Sequence, residues 1–488
     1  MEQIVTSQHT TPATPRLTGR VVAISIGAAL GGFLFGFDSS VINGAVDSIQ
    51  GEFDLGDTFT GFAVASALLG CAVGAWFAGG LANRYGRIRV MVISAILFFL
   101  SALGSGFAFG VWDLITWRVL GGLAIGAASV IAPAYIAEVA PAAFRGRLGS
   151  LQQMAIVLGI FAALLSDEML ASAAGGADRE LWLGLEAWRW MFLAAAIPAI
   201  IYGVAAIRLP ESPRYLVSKH RDDEASHILA EYTGEQDPAR KIAQIRTSLG
   251  SDERRSMRDL RGPKGGLHPI VWTGILLSMF QQFVGINVIF YYSTTLWQSV
   301  GFDESDAFTT STITSLTNIV ATIIAISLVD RIGRRLLLLI GSAGMFVSLA
   351  TMAIAFANAT TDAAGETALE GGWATAALIA ANAFVVFFAA SWGPVVWVLL
   401  GEMFPNHMRA TALAVAAAAQ WGANFLITVT FPGLADISLV LAYGFYAAMA
   451  LLSFFFVASR VPETRGVELE DMRDDANAHT VENAASTS

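Results

Sequence analysis

Twelve apolar stretches constrain the fold of this chain more than any other feature of its sequence. They lie at residues 20–45, 60–82, 90–110, 113–136, 148–167, 187–208, 270–298, 308–329, 335–357, 373–401, 409–431 and 438–459. A helix of about 20 mostly apolar residues crosses a bilayer, and inside a bilayer a segment must satisfy its own backbone hydrogen bonds. Only 14% of the residues are charged, against about 25% in soluble proteins. We therefore expect an all-α protein with twelve transmembrane helices in the lipid bilayer.

The distribution of basic residues predicts the orientation of these spans. The loops on the N-terminal side carry Arg84, Arg87, Arg89, Arg145, Arg147, Arg331, Arg334, Arg335 and Arg409. The opposite loops are acidic, with Asp47, Glu52, Asp54, Asp57, Asp167, Glu168, Asp178, Glu180, Asp303, Glu304, Asp306, Asp362, Glu366 and Glu370. Because short cytoplasmic loops are rich in Lys and Arg, both termini are predicted in the cytoplasm of a cell whose plasma membrane holds the protein.

The chain divides into two six-span halves. We predict a cytoplasmic tail (1–19), an N-terminal bundle (20–209), a cytoplasmic linker with amphipathic helices (210–268), a C-terminal bundle (269–460) and a second cytoplasmic tail (461–488). Three motifs recur in the same order in both halves, after spans 2 and 8, 4 and 10, and 6 and 12. Six-span repeats of this kind build many secondary transporters.

The repeated motifs place opposite charges together at the cytoplasmic face. We expect a charge network there that holds each half rigid and partly breaks when this side opens. Its expected members are Arg84, Glu138, Arg145, Glu211 and Arg214 in the first half and Arg331, Glu402, Arg409 and Glu463 in the second. The alternative is that the arginines only set the topology.

Other classes of function find no support in the sequence. No G-x-x-x-x-G-K-[ST] motif or catalytic triad is present, and no cofactor or metal is expected. The single cysteine, Cys71, excludes an internal disulfide. A net charge of −10 argues against nucleic acid as a partner. An enzyme is therefore not expected.

Two ionisable residues lie inside spans and predict a coupling site. Asp38 is in span 1 and Arg118 in span 4, about 14 Å and 9 Å below the outer face at 1.5 Å per residue. Burial favours the neutral carboxyl group, whereas a neighbouring arginine favours the carboxylate. A carboxyl group balanced between these effects can bind a proton outside and release it inside. The alternative is a static structural pair.

Uncharged polar residues inside the spans predict a neutral, hydroxyl-rich ligand. They are Gln152 and Gln153 in span 5, Gln281, Gln282, Asn287, Tyr291 and Tyr292 in span 7, Asn318 in span 8, Trp392 and Trp397 in span 10, and Gln420, Trp421 and Asn424 in span 11. Amide groups both donate and accept hydrogen bonds, as a polyol requires. For any single amide, a hydrogen bond between helices is as good an explanation as contact with a ligand.

On these motifs the sequence resembles the sugar porter family of the major facilitator superfamily, over residues 20–467. The matching segments are Arg84-Tyr85-Gly86-Arg87, Arg118 with Gly121-Gly122, Pro210-Glu211-Ser212-Pro213-Arg214, Gln281 to Asn287, Asp330-Arg331-Ile332-Gly333-Arg334 and Pro462-Glu463-Thr464. The resemblance implies sugar contacts from Gln153, Gln281, Gln282, Asn287, Trp397 and Gln420. It also implies that the rest of the pocket is formed by Phe35, Ile160, Tyr291, Asn318, Gly393, Trp421 and Asn424. Asp38 corresponds in this resemblance to the proton-accepting aspartate of symporters.

Three positions depart from the family pattern. Ala195 replaces a membrane glutamate of xylose symporters, which leaves coupling to Asp38 and Arg118. Ile160 matches glucose transporters rather than a xylose symporter, and Asn83 replaces the usual aspartate of the first loop motif. We expect a monomeric proton symporter that imports a neutral hexose, most simply D-glucose. A uniporter of the same fold, and a symporter for xylose, galactose or inositol, are the alternatives.

Overall fold

The computed structural model describes residues 18–141, 144–235, 237–252, 260–262, 265–361, 367–369, 371–404 and 408–463, without the side chains of residues 145, 146, 250–252, 329, 330, 409 and 410. Twelve helical spans in this part of the chain are long and apolar enough to cross a membrane. They form two six-span halves, which are joined by short helices.

The first half contains spans 1–6. Its elements are α1 (Gly19–Ser40), a 3₁₀ segment (Val41–Ala45) and α2 (Val46–Glu52) in span 1, α3 (Asp57–Tyr85) in span 2, α4 (Arg87–Gly106) in span 3, α5 (Val111–Val139) in span 4, α6 (Arg145–Ala174) in span 5, and α7 (Ala187–Ala194) with α8 (Ala196–Arg208) in span 6. Strands β1 (Glu180–Trp182) and β2 (Leu185–Glu186) form an antiparallel hairpin between spans 5 and 6.

The second half repeats this plan in spans 7–12. Its elements are α12 (Pro269–Phe283) and α13 (Ile286–Gln298) in span 7, α14 (Glu304–Ile332) in span 8, α15 (Arg334–Ala357) in span 9, α16 (Gly372–Phe387), a π-helical turn (Phe388–Trp392) and α17 (Gly393–Met403) in span 10, α18 (Arg409–Ile437) in span 11, and α19 (Leu439–Arg460) in span 12. Strands β3 (Thr360–Thr361) and β4 (Thr367–Ala368) pair between spans 9 and 10.

The linker helices fold against the first half. They are α9 (Pro213–Ser218), α10 (Asp222–Ile228) with a π-helical turn (Leu229–Thr233), and α11 (Pro238–Asp252). Leu216, Val217 and Ala225 belong to a small apolar cluster between these helices. The hydroxyl group of Thr18 donates to the carbonyl of Tyr232 at 3.0 Å, which ties the linker to the start of span 1.

Glycines bring neighbouring helices within backbone contact in the first half. A Cβ atom on Gly36 would lie 1.9 Å from the carbonyl oxygen of Ile156, so spans 1 and 5 touch through their backbones. Spans 2 and 4 meet in the same way, because a Cβ atom on Gly122 would lie 1.9 Å from the carbonyl oxygen of Ala67. Small residues permit such close packing between membrane helices. Van der Waals contacts matter there, because the hydrophobic effect contributes little to helix association inside a bilayer.

Three spans are irregular at membrane depth, and all three contribute to the central site. Span 7 breaks at Gly285, whose φ of +83° favours glycine. Span 10 contains the π-helical turn before Gly393, and span 1 contains the 3₁₀ segment after Asp38. Irregular backbone at this depth is tolerated where protein buries it or where it lines a cavity.

Candidate functional site

A buried ion pair lies inside the first half. Nη1 of Arg118 is 3.3 Å from Oδ2 of Asp38 and 3.2 Å from the Asp38 carbonyl oxygen. Their side chains are only 2% and 7% exposed, and the guanidinium carbon of Arg118 lies 5.7 Å from the ring centre of Phe192. Spans 1 and 4 thus bring together the two ionisable residues that the sequence places at similar depths.

The break in span 7 gathers a cluster of amides in the second half. Nε2 of Gln281 donates to the carbonyl oxygens of Trp392 and Gly393 at 2.8 and 3.3 Å. Beside it, Nδ2 of Asn287 donates to Oε1 of Gln282 at 2.6 Å across the Gly285 turn. These bonds fix the orientations of Gln281, Gln282 and Asn287 within the second half.

The remaining residues expected to bind sugar differ in burial. The rings of Phe35 and Trp421 lie 5.7 Å apart and connect the two halves. Asn318, Tyr291 and Asn424 are buried, and Gln153, Ile160 and Gln420 are partly buried. Trp397 is 43% exposed. The indole of Trp392, by contrast, donates to Leu338 and Ser342 within its own half, so its role is in helix packing.

Several buried amide atoms lack hydrogen-bond partners among the described residues. They are Oε1 of Gln281, Oε1 of Gln420, and both Nε2 and Oε1 of Gln152. Buried polar atoms in proteins are nearly always paired, so unpaired ones in a central site fit a ligand that supplies hydroxyl groups. Gln152, which we did not include in the expected pocket, lies against Gly32 of span 1.

A small cavity between the halves contacts the arginine of the ion pair. Its volume is about 10 Å³, which is room for about one water molecule. Arg118, Ser39 and Phe35 line it from the first half, and Tyr291 lines it from the second. Arg118 of the first half and Tyr291 of the second half therefore line the same cavity.

Hydrogen bonds join the halves on the side opposite the Arg-rich turns between spans 2 and 3 and between spans 8 and 9. Nδ2 of Asn43 donates to Ser293 at 2.9 Å, and the hydroxyl and amide groups of Thr294 donate to Oδ1 of Asn43 at 2.9 and 3.1 Å. Thr295 donates to Asp47 at 2.8 Å. The halves are thus closed against each other on this side. We call these contacts between spans 1 and 7, together with the contacts between spans 5 and 8 described next, the outer seam.

Spans 5 and 8 continue the outer seam. The hydroxyl group of Thr309 donates to Oε1 of Glu168 at 2.8 Å, and the amide of Ala177 donates to Oε1 of Glu304 at 2.8 Å. A separate crevice of about 380 Å³ remains at this side between spans 1, 2, 7 and 11. None of these seam residues was among the predicted site residues, because their roles depend on which helices face each other.

The predicted charge cluster of the first half forms around Arg87 rather than Arg84. Arg87 donates to both carboxylate oxygens of Glu138 at 3.0 and 2.8 Å. Glu211 accepts from the backbone amide of Arg87 at 3.0 Å. The predicted member Arg84 is exposed and lies over the ring of Tyr85 instead. The helix turns at Gly86, with φ +98°, and this turn aims Arg87 inward.

The second half repeats this cluster around Arg334 rather than Arg331. Arg334 donates to Glu402 at 3.2 and 3.0 Å, and Glu463 accepts from the Arg334 amide at 3.0 Å. Arg331 is exposed. Arg214 of α9 donates to Ser248 at 3.2 Å within the linker.

These observed pairs lie within one half and are intact while the outer seam is closed. They therefore hold helices of one half together, and they are not pairs that part between the halves. The side chains of Arg145 and Arg409, at the first positions of α6 and α18, lie outside the described part of the chain.

One acidic residue lies elsewhere than the sequence indicates. Asp167 was expected in the extracellular loop after span 5, but α6 continues to Ala174 and the Asp167 side chain is fully buried. The apolar stretch ends at this residue, and the helix continues because the following residues still pack against neighbouring spans. No local sequence signal indicates this burial, because the end of α6 at Ala174 is visible only in the structure.

Two pseudo-repeated bundles with a polar site between them, beside a buried ion pair, define a secondary membrane transporter. The profile of the "Sugar (and other) transporter" family matches residues 24–476. The chain is 53% identical over 454 residues to a glucose transport protein of Synechocystis sp., covering 93% of this chain and 97% of that protein. It is 36% identical over 485 residues to the D-xylose-proton symporter of Escherichia coli, covering 93% and 95%.

A solved structure agrees with these relatives. The partially occluded, inward-open xylose transporter XylE of E. coli superimposes with a TM-score of 0.77 at 33% identity, covering 91% of this chain and all of that one. The chain belongs to the sugar transporter family and has the major facilitator fold, as the resemblance implied. It is a multi-pass membrane protein and not an enzyme.

Proposed function

We propose that this protein is a proton-coupled symporter that imports a neutral monosaccharide, D-glucose, by alternating access. The observation that carries the proposal is the buried pair of Asp38 and Arg118 beside a central site with unpartnered amides. Relatives named for glucose transport and for xylose–proton symport support the same combination of sugar and proton.

The central site fits a neutral polyol. Gln281 and Gln420 each hold a buried amide oxygen that can accept a hydrogen bond from a sugar hydroxyl. Trp397 and Trp421 offer aromatic faces for the apolar C–H surface of a sugar ring. Among the described residues, Asp38 and Arg118 are the charged groups that approach this site, and they neutralise each other. A charged ligand would therefore lack a partner.

The ion pair gives a physical route for coupling. A proton that binds to Asp38 removes its charge and weakens its hold on Arg118. Through the small cavity, the freed guanidinium group can then affect Tyr291 and the break in span 7. Loss of the proton to the cytoplasm restores the pair. A membrane potential of 100 mV supplies about 2.3 kcal/mol per proton, enough for a roughly fifty-fold sugar gradient.

Labelled D-glucose uptake into proteoliposomes tests this function. We expect accumulation above equilibrium only with an inward proton gradient. Asp38→Asn should abolish accumulation and keep sugar exchange without a gradient, because the amide mimics a permanently protonated carboxyl group. Asp306→Asn, at an exposed extracellular position, is the matched control and should accumulate sugar like the parent.

Each alternative predicts a different result in the same assay. Equilibration that ignores the gradient would identify a uniporter and overturn coupling through Asp38. Absence of glucose uptake, with competition by xylose, galactose or inositol, would keep the transport class and change the sugar.

The location and assembly follow from the same proposal. We infer the plasma membrane, with both termini in the cytoplasm, because the Arg-rich turns between spans 2 and 3 and between spans 8 and 9 lie on one side. A single chain contains both halves and the site between them, so a monomer suffices. Protease protection of tags at the two termini in intact cells tests this orientation.

A further inference from the structure

Asp167 is a buried carboxyl group for which the transport mechanism above gives no role. Its side chain is fully buried, and neither oxygen meets hydrogen-bond geometry with any described donor, although it faces the backbone of Gly44. The neighbours on its own helix face, Ala163, Leu164 and Ala171, are buried and apolar. A carboxylate without a partner in such surroundings is strongly disfavoured relative to the neutral acid.

The position of Asp167 connects it to the outer seam. A Cβ atom on Gly44 would lie 2.8 Å from Sδ of Met191, 2.9 Å from Cβ of Asp167 and 3.0 Å from a ring carbon of Phe308. Spans 1, 5, 6 and 8 therefore meet around this carboxyl group, and Phe308 belongs to the opposite half. The next residue, Glu168, bonds to Thr309 across the seam.

The charged groups on the surrounding spans either have other partners or are exposed to solvent. On span 1, Asp38 pairs with Arg118 of span 4, and Asp47 accepts from Thr295 and Gln298. On span 6, Arg189 pairs with Glu52 and Glu186. On span 8, Glu304 accepts from the Ala177 amide, and Asp306 is exposed. Among the described residues, no ion pair compensates a charge on Asp167.

We propose that Asp167 is a second proton-binding site, which takes a proton from the extracellular solution and must hold it for the outer seam to close. When spans 5 and 8 separate, the carboxyl group meets water and releases the proton as hydronium. When they close, a proton from extracellular water forms the neutral acid. This proton exchanges only with the outside, so Asp167 controls seam closure and adds no transported proton.

This inference rests on the alternating access of the proposed function, but its test requires no sugar. Thr312 of span 8 is partly buried, with its hydroxyl group 3.5 Å from the carbonyl oxygen of Leu164 in span 5. Thr312→Cys in a Cys71→Ala background gives a single thiol at the seam. Its alkylation rate in nanodiscs, normalised at each pH to the denatured protein, reports the open fraction.

We expect the normalised rate to rise from about pH 6 to about pH 8, because linkage of one proton changes the open-to-closed ratio by up to about tenfold per pH unit. Asp167→Asn in the same background should label slowly at every pH, since its amide is permanently neutral. Asp38→Asn, tested in parallel, should keep the parent's pH slope.

Two results would overturn the proposal: a parent rate that does not change with pH, or an Asp167→Asn variant that keeps the parent's slope. Asp167→Ala also removes the charge and answers the same question if the asparagine variant does not fold. If the pH dependence of the alkylation rate is lost in Asp38→Asn instead, the titrating group is the pair of Asp38 and Arg118. Failure of glucose transport would leave this labelling result unaffected.

Discussion

Gln281 shows how one side chain can serve both the fold and the ligand. Its amide nitrogen binds two backbone carbonyls at the irregular turn of span 10, and its buried oxygen lacks a partner among the described residues. The nitrogen therefore fixes the orientation of the oxygen before any ligand arrives. Such preorganisation reduces the loss of side-chain entropy that accompanies binding.

We predict that Gln281→Ala weakens sugar binding about tenfold, because a hydrogen bond in a buried site contributes roughly 1–1.5 kcal/mol. The apparent KM for exchange should rise by this factor, whereas the maximal rate changes less. Gln244→Ala, on the exposed face of α11, is the matched control and should leave KM unchanged. An unchanged KM in Gln281→Ala would remove this residue from the sugar site.

Candidate residues for the site could be proposed from the sequence, because their types are unusual for a membrane span. An aspartate, an arginine and several amides stand out in apolar helices whatever their partners. The exact members of the charge clusters could not be predicted. Arg84 and Arg87 are alike in sequence, and only the turn at Gly86 decides which of them reaches Glu138.

At the scale of helices, the clusters around Arg87 and Arg334 hold together the ends of three spans within each half. In the first half, Glu138 at the end of span 4 accepts from Arg87 of span 3, and Glu211 after span 6 caps the start of span 3 through its backbone amides. The repeated motif therefore ties helices together within each half, as the proposed alternating access requires.

We predict that Arg87→Gln destabilises the protein by about 3 kcal/mol, because it leaves the mostly buried carboxylate of Glu138 without its charged partner. Thermal unfolding in detergent should show this loss as a lower Tm. Arg84→Gln provides the matched control, with a loss of at most about 1 kcal/mol from its exposed contact with Tyr85. Equal losses in both variants would contradict the assignment to Arg87.

The positions of the spans could be predicted at this scale, but their internal breaks could not. Twelve apolar stretches appear directly in the hydropathy. The π-helical turn in span 10 and the 3₁₀ segment in span 1 leave no comparable trace, because each depends on neighbouring helices that accommodate irregular backbone.

At the scale of the whole molecule, the outer seam stabilises the observed arrangement of the halves over the open arrangement that the proposed alternating access requires. Asn43 alone makes four hydrogen bonds to Ser293 and Thr294 of the opposite half. Because three of these use the Asn43 side chain, a single substitution removes them together. The balance between the two arrangements is therefore sensitive to this residue.

We predict that Asn43→Ala shifts the population toward an open outer side by a factor of about 30, if the three lost bonds contribute about 2 kcal/mol in total. Spin labels on Gly51→Cys and Ser305→Cys, in a Cys71→Ala background, should show a longer distance component in pulsed electron resonance. Asn358→Ala, at the exposed outer end of α15, should keep the parent's distances. A distance distribution unchanged by Asn43→Ala would exclude this contribution.

The sequence alone determined the class and the span count, and it singled out candidate residues for the central site, because hydropathy, charge asymmetry and unusual residue types are local properties of the chain. The tertiary structure alone decided which arginine meets which glutamate, that Asp167 is buried, and that the outer seam is closed. These features depend on helix faces brought together from distant parts of the chain. No local pattern specifies such contacts, since each requires the packing of both partners at once.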